Sequence, residues 1–153
     1  MGMALGERAA REDSDVIAHV RIVATTPPAD DFLTGKDPAK LKTDSFSRIA
    51  TARVVSAVKG CKEGDTLTLA FDNGFGCPNI HYTEKEECLV FLKKRADGVH
   101  LTMNLYCGRF TIEADKVLNF SLMHPFGQAP ESIPLATVLA WLRTAPAKPA
   151  PAP

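Results

Sequence analysis

The sequence predicts an all-β fold, in which a five-stranded barrel carries one helix at its C-terminal end. Five segments are rich in β-branched and aromatic residues, and turn residues separate them. One further segment, near the C-terminus, repeats its apolar residues at helical spacing. With 153 residues, of which 45% are hydrophobic, the chain is long enough to bury a sizeable core.

The first three predicted strands are residues 15–24, 47–58 and 65–71. In the first, alternate apolar residues share one face, whereas His19 and Arg21 occupy the other. In the third, alternate residues from Leu67 to Phe71 face inward. A polar loop, residues 25–45, separates the first two strands, and loops of this length in compact domains are usually functional or disordered.

The next predicted strand, residues 87–94, is apolar on both faces at its centre and should be covered on both sides. Asp97-Gly98 predicts a type I′ hairpin turn into a fifth strand, residues 99–107. The predicted core face of that strand consists of Leu101, Met103, Leu105 and Cys107. A weaker extended stretch covers residues 117–122.

Ser132 and Pro134 favour a helix start near the C-terminus. The apolar stripe that follows is Leu135, Val138, Leu139 and Leu142. This spacing predicts an amphipathic helix that packs on the barrel. The predicted organisation is a polar leader (1–14), one domain (15–143) and a Pro/Ala-rich tail (144–153). Five strands, mostly antiparallel, with one helix best match a Greek-key barrel of the OB type.

The chain has four cysteines, and no two of them lie within ten positions of each other: Cys61, Cys77, Cys88 and Cys107. This spacing lacks the close pairs of structural zinc sites and of thioredoxin-like redox sites. Two disulfides are the leading interpretation, and four buried free thiols are the alternative. Disulfides imply an oxidising compartment.

The composition and the motifs of the sequence argue against several classes of function. Eighteen basic residues balance eighteen acidic ones, so no global field favours nucleic acid or anionic lipid. No apolar run approaches the roughly 20 residues that span a bilayer. The N-terminus has no apolar signal core, so the protein is either cytosolic or numbered from after a removed export signal. No nucleophile elbow or paired histidine motif occurs, and we expect no enzymatic activity, metal or cofactor.

Several short motifs occur in an order that is similar to one family. They are Asp13-Ser14-Asp15-Val16-Ile17, Arg21-Ile22-Val23, Ala57-Val58-Lys59-Gly60, Gly64-Asp65-Thr66-Leu67-Thr68-Leu69, Gly76-Cys77, Cys88-Leu89-Val90-Phe91, Gly98-Val99-His100-Leu101-Thr102 and Leu105-Tyr106-Cys107. This order resembles the netrin-like module of the tissue inhibitors of metalloproteinases and their bacterial relatives, an OB-type barrel with flanking helices. The resemblance covers residues 13–110.

The resemblance implies both a disulfide map and a missing activity. It pairs Cys77 with Cys107 and Cys61 with Cys88, among the three connectivities that four cysteines permit. In the animal inhibitors, an N-terminal Cys-x-Cys segment places an α-amine and a carbonyl on the protease zinc. This chain has no cysteine before Cys61, so we expect no metalloprotease inhibition by that mechanism.

The expected function is non-enzymatic binding or scaffolding outside the cytoplasm, in the periplasm or after secretion. The resemblance implies that barrel-end loops contact an unknown protein or envelope component. The candidate contact residues are Phe32, Leu33, Phe75, Tyr82 and Arg109. The alternative is a cytosolic OB-type module for single-stranded nucleic acid, with reduced cysteines and a basic run at residues 93–95. The neutral net charge disfavours that alternative.

Overall fold

The computed structural model describes residues 9–26, 48–71, 81–103, 108–120 and 132–144. The elements in chain order are a π-helical turn (Ala9–Asp13), β1 (Val16–Thr25), β2 (Arg48–Lys59), β3 (Thr66–Phe71), β4 (Glu87–Lys94), β5 (His100–Thr102), β6 (Arg109–Glu113), β7 (Lys116–Val117), β8 (Ile133–Pro134) and the helix α1 (Leu135–Arg143).

Strands β1 to β5 close into a barrel. They follow the order β1-β2-β3-β5-β4, and β4 pairs back onto β1. The β3–β5 pair is parallel, whereas the other four pairs of the barrel are antiparallel. Strands β6, β7 and β8 continue the sheet outward from β4. The prediction of an all-β barrel with a C-terminal helix is confirmed, and the barrel is compatible with the OB type.

The barrel interior is filled by apolar side chains from alternate strand positions. In β3, the predicted inward residues Leu67, Leu69 and Phe71 are buried, while Thr66 is exposed. Burying one such side chain completely contributes about 1.5–3 kcal/mol. The other buried members of this core are Val16, Ala18, Val20, Ile22, Ala50, Ala52, Val54, Tyr82, Cys88, Val90 and Leu92.

A second core lies between the outer side of the barrel and α1. Strand β4 contributes Leu89 and Phe91 to it, so this strand is buried on both faces, as its apolar run predicts. From α1, most of the predicted stripe is buried against the barrel, namely Val138, Leu139 and Leu142. The helix therefore covers apolar side chains on the outer side of the barrel that would otherwise face water.

The second half of the predicted polar leader packs onto this core. Ala10 is buried, and the Arg11 guanidinium lies 3.9 Å from the centre of the Trp141 ring. Arg11 also donates a hydrogen bond to the Trp141 carbonyl at 3.0 Å, and Lys59 donates one to the Arg11 carbonyl at 3.0 Å. Residues 9–14 are thus part of the folded structure.

The structure corrects the predicted face of the fifth strand. His100 and Thr102 point into the barrel and are buried, whereas Leu101 is only half-buried. The reason is the register: Thr102 lies opposite the inward residue Leu92 of β4. The strand ends at Thr102 and is followed by a turn at Met103, whereas Leu105 and Cys107 of the predicted face lie outside the described residues.

Two local predictions are also wrong. A type I′ turn needs positive φ at both central residues, but in the β4–β5 connection only Gly98 has it, at +87°. The Asp97 carboxylate accepts hydrogen bonds from Arg95 and from the Val99 amide instead. The predicted stretch 117–122 is broken after Val117 by a turn, while Arg109–Glu113 forms β6, a strand that the sequence reading missed.

Candidate functional site

A polar cluster closes one end of the barrel interior around Tyr82. The ring is 2% exposed, and its hydroxyl lies 2.5 Å from Oγ1 of Thr102 in a hydrogen bond. Phe71 packs edge-on against the ring at 5.5 Å, and the Arg109 guanidinium lies 5.3 Å from the ring centre. Burial raises the pKa of the Tyr82 hydroxyl, so the group stays protonated.

Arg109 forms an ion pair with Glu86 at the edge of this cluster. The two side chains are 18% and 19% exposed, so the pair is largely shielded from solvent. Burial raises the pKa of the nearby Cys88 thiol to about 12. At neutral pH that thiol carries its proton and is a poor nucleophile. The Tyr82 and Thr102 hydroxyls and the Arg109–Glu86 pair are therefore bonded within the cluster, whereas the buried Nε of Arg109 has no hydrogen-bond partner among the described residues.

The predicted contact residues fall into two sets. Tyr82 and Arg109 are brought together, but Tyr82 lies inside the barrel and has almost no surface to offer a partner. Arg109 is already occupied by Glu86. Phe32, Leu33 and Phe75 lie outside the described residues, and their contact role stays a prediction.

The predicted bridge between Cys61 and Cys88 is not formed, because both are free thiols. Cys88 lies opposite Val20 of β1, whereas Gly60, the neighbour of Cys61, lies against Asp15 just before β1. Five residues of strand separate these points by about 16 Å. A disulfide needs Cα atoms roughly 4.4–6.8 Å apart. Cys77 and Cys107 lie outside the described residues, so their predicted pairing stays a prediction.

The outer surface of β1 and β2 has the features of a binding surface. Arg21 of β1 and Arg53 of β2 lie directly opposite each other, and both are exposed. Val23 and Val55 flank them and are 54% and 37% exposed. Within the described part of the chain, these are the two large hydrophobic residues that are exposed to solvent. We call the surface formed by these four residues the arginine face.

Electrostatics make the arginine pair costly for the fold. Like charges directly opposite each other in a sheet are destabilising. Glu87 pairs with Arg21 from β4, but its carboxylate accepts a hydrogen bond from His19 Nε2 at 2.7 Å. Among the described residues, no hydrogen bond or ion pair engages the side chain of Arg21 or of Arg53. Local rules of this kind are most often violated at functional sites.

Both valines sit at irregularities of the β1–β2 ladder. Val23 lies between the pairs Ile22–Ala52 and Ala24–Thr51, and Val55 between His19–Ser56 and Val20–Val54. Such bulges re-aim side chains and are over-represented next to functional sites. Here they leave an apolar side chain exposed on each side of the arginine pair.

The sequence places Arg21 on the polar side of its strand, but it does not identify the arginine face. The signal was present in two strands as the pattern Arg-apolar-Val, at residues 21–23 and 53–55. Only the register shows that these two patterns meet.

Of the residues that the structure describes, no group of three or more His, Cys, Asp or Glu side chains is arranged to hold a metal ion. Among the described helices, none has the length and apolar character needed to cross a bilayer.

No protein-family model matches the chain, and neither a curated protein nor a solved structure matches it.

Proposed function

We propose that the chain is a non-enzymatic binding domain that recognises a protein through the arginine face and the adjoining barrel-end loops. The observation that carries this proposal is the opposed pair Arg21 and Arg53, exposed and flanked by exposed valines. Arginine is enriched in protein interfaces because its planar guanidinium pairs with carboxylates in a defined geometry. A partner would offset the repulsion that the free domain carries.

The rigidity of the barrel supports the same function. The four residues of the arginine face project from two paired strands, whose inward neighbours Ile22 and Val54 are almost fully buried. Side chains on packed strands are held more accurately than side chains on loops, so less ordering is needed on binding.

We further propose that the domain is netrin-like and works outside the cytoplasm, in the periplasm or after secretion. The ordered motifs over residues 13–110 support this part. Non-reducing peptide mapping of protein purified without reductant tests it. We expect a Cys77–Cys107 bridge with free thiols at Cys61 and Cys88, and four free thiols would contradict it.

Single-stranded nucleic acid is the competing ligand, because OB-type barrels often bind it and arginine also pairs with phosphate. Such binding relies on aromatic side chains on which bases stack. The side chains of the arginine face are aliphatic and cationic, and the neighbouring outward residues Thr51 and Thr68 carry hydroxyl groups. This composition favours a protein ligand.

Site-specific photo-crosslinking in the cells that make the protein tests the proposal. A photoreactive residue replaces Val23 in one variant and Lys116 in a matched control, because Lys116 is exposed on β7, away from the arginine face. We expect a discrete protein adduct from position 23 only. Nuclease-sensitive adducts, or equal adducts from both positions, would overturn the proposal.

A further inference from the structure

We propose that the arginine face binds an extended segment of a partner protein in which an acidic residue stands between two apolar residues, in the pattern apolar-x-acidic-x-apolar. This inference rests on the proposed function and specifies the chemistry of its ligand. Three features carry it: the spacing of the four side chains, the charge of the central pair, and the exposed valines.

The spacing of the face matches an extended chain. Val23 follows Arg21 by two residues in β1, and Val55 follows Arg53 by two residues in β2. Since β1 and β2 are antiparallel, the valines lie on opposite sides of the arginine pair. Two residues of regular strand span about 6.6 Å, so the valines are up to about 13 Å apart along the strands, and the two bulges shorten this distance slightly. Residues i and i+4 of an extended peptide are also about 13 Å apart, and residue i+2 lies on the same side.

The arginine pair favours a carboxylate at the central position of the bound segment. Two guanidinium groups from adjacent, opposed positions present several N–H donors toward the same region above the sheet. A carboxylate accepts hydrogen bonds on both oxygens and neutralises part of the repulsion between the two cations. Glu87 is the acidic neighbour of Arg21 in the ladder, yet it is held by His19. The face is therefore left with a net positive charge.

The exposed valines favour apolar side chains at the two end positions of the bound segment. Val23 and Val55 each expose methyl groups that no described residue covers. An apolar residue at each end of the segment would remove this surface from water, a gain proportional to the area buried. Lysine or arginine at the centre of the segment would instead add a third cation beside Arg21 and Arg53.

Titration of the isotope-labelled full chain with the peptide Gly-Val-Thr-Glu-Thr-Val-Gly, followed by NMR, tests the inference. We expect saturable shifts centred on Arg21, Val23, Arg53 and Val55. A peptide with glutamine in place of glutamate should bind at least about tenfold more weakly, because a charge-assisted hydrogen bond is lost. Equal binding of the two peptides, or no saturable shift at the face, would overturn the inference.

Variants and a second ligand sharpen the test. The double variant Arg21→Gln/Arg53→Gln should lose at least about tenfold in affinity, whereas Lys62→Gln/Lys116→Gln removes the same charge from exposed positions elsewhere and should bind normally. Specific shifts at the face with oligo-thymidylate, but not with the peptide, would replace the inference with nucleic-acid binding. If the peptide fails while photo-crosslinking at position 23 still yields a protein adduct, the ligand chemistry is wrong and the proposed function stands. If both fail, the proposed function fails too.

Discussion

Removing the hydroxyl of Tyr82 should destabilise the barrel although the ring keeps its packing. In Tyr82→Phe, the Thr102 hydroxyl loses the partner that lies 2.5 Å away. Thr102 is 6% exposed, so water does not readily replace that partner. An unsatisfied buried polar group costs about 1–3 kcal/mol. This is a large part of the roughly 5–15 kcal/mol by which small domains are stable.

A double-mutant cycle isolates the interaction. Thr102→Val should reduce the free energy of unfolding by a similar amount, because it leaves the Tyr82 hydroxyl without its hydrogen-bond partner. The double variant Tyr82→Phe/Thr102→Val removes both polar groups and should be no less stable than either single variant. Thr51→Val, which makes the same exchange on the outer side of β2, is the control and should change stability by less than about 0.5 kcal/mol.

Urea unfolding at equilibrium measures the free energy of unfolding of each variant, provided that the slope of this free energy against urea concentration is unchanged. Strictly additive costs in the double variant would refute the coupling between the two hydroxyls. Wild-type stability in Tyr82→Phe would refute the placement of Tyr82 in the barrel interior, and would return it to the list of surface contact candidates.

Three further predictions concern His100, two glycines and two cysteines. Burial lowers the pKa of His100 from 6.5, so the unfolded chain binds the proton more tightly than the folded protein does. The stability should therefore fall as the pH drops through 6.5, and it should fall less in His100→Gln; urea midpoints measured from about pH 8 to pH 5 test this. Gly60→Ala brings its Cβ into a clash with the Asp15 carbonyl oxygen, whereas Gly64→Ala, also at positive φ, meets nothing within 4 Å. We expect calorimetry to show costs of about 1–2 kcal/mol for Gly64→Ala and about 1–3 kcal/mol more for Gly60→Ala, and equal costs would contradict the close approach. Maleimide labelling with peptide mapping should modify Cys61 in the native protein but Cys88 only after unfolding, because Cys88 is fully buried; equal rates would contradict this.

Most of the barrel could be predicted because its strands carry local signals. Alternation in β1 and β3 and the apolar run of β4 identify both the strands and their buried faces. The apolar stripe of α1 likewise identifies the helix and its buried face. These patterns arise because side-chain direction repeats every two residues in a strand and every 3.6 residues in a helix.

The face of β5 could not be predicted in this way. Its inward residues are His100 and Thr102, which hydrophobicity alone assigns to the outside. They are accommodated because Tyr82 bonds Thr102 and because burial keeps His100 in its neutral form. Both conditions come from residues that are distant in sequence.

The sequence by itself determined the strands β1 to β4 and the helix α1, together with the buried faces of β1, β3, β4 and α1. The tertiary structure decided which residues meet. Arg21 and Arg53 are 32 positions apart, and only the β1–β2 register sets them side by side. The β1–β4 register and the contact of Gly60 with Asp15 likewise place Cys61 and Cys88 too far apart to bond. Local periodicity reports the environment of a single residue, whereas a binding surface or a disulfide depends on the pairing of distant segments, which is set by the packing of the whole barrel.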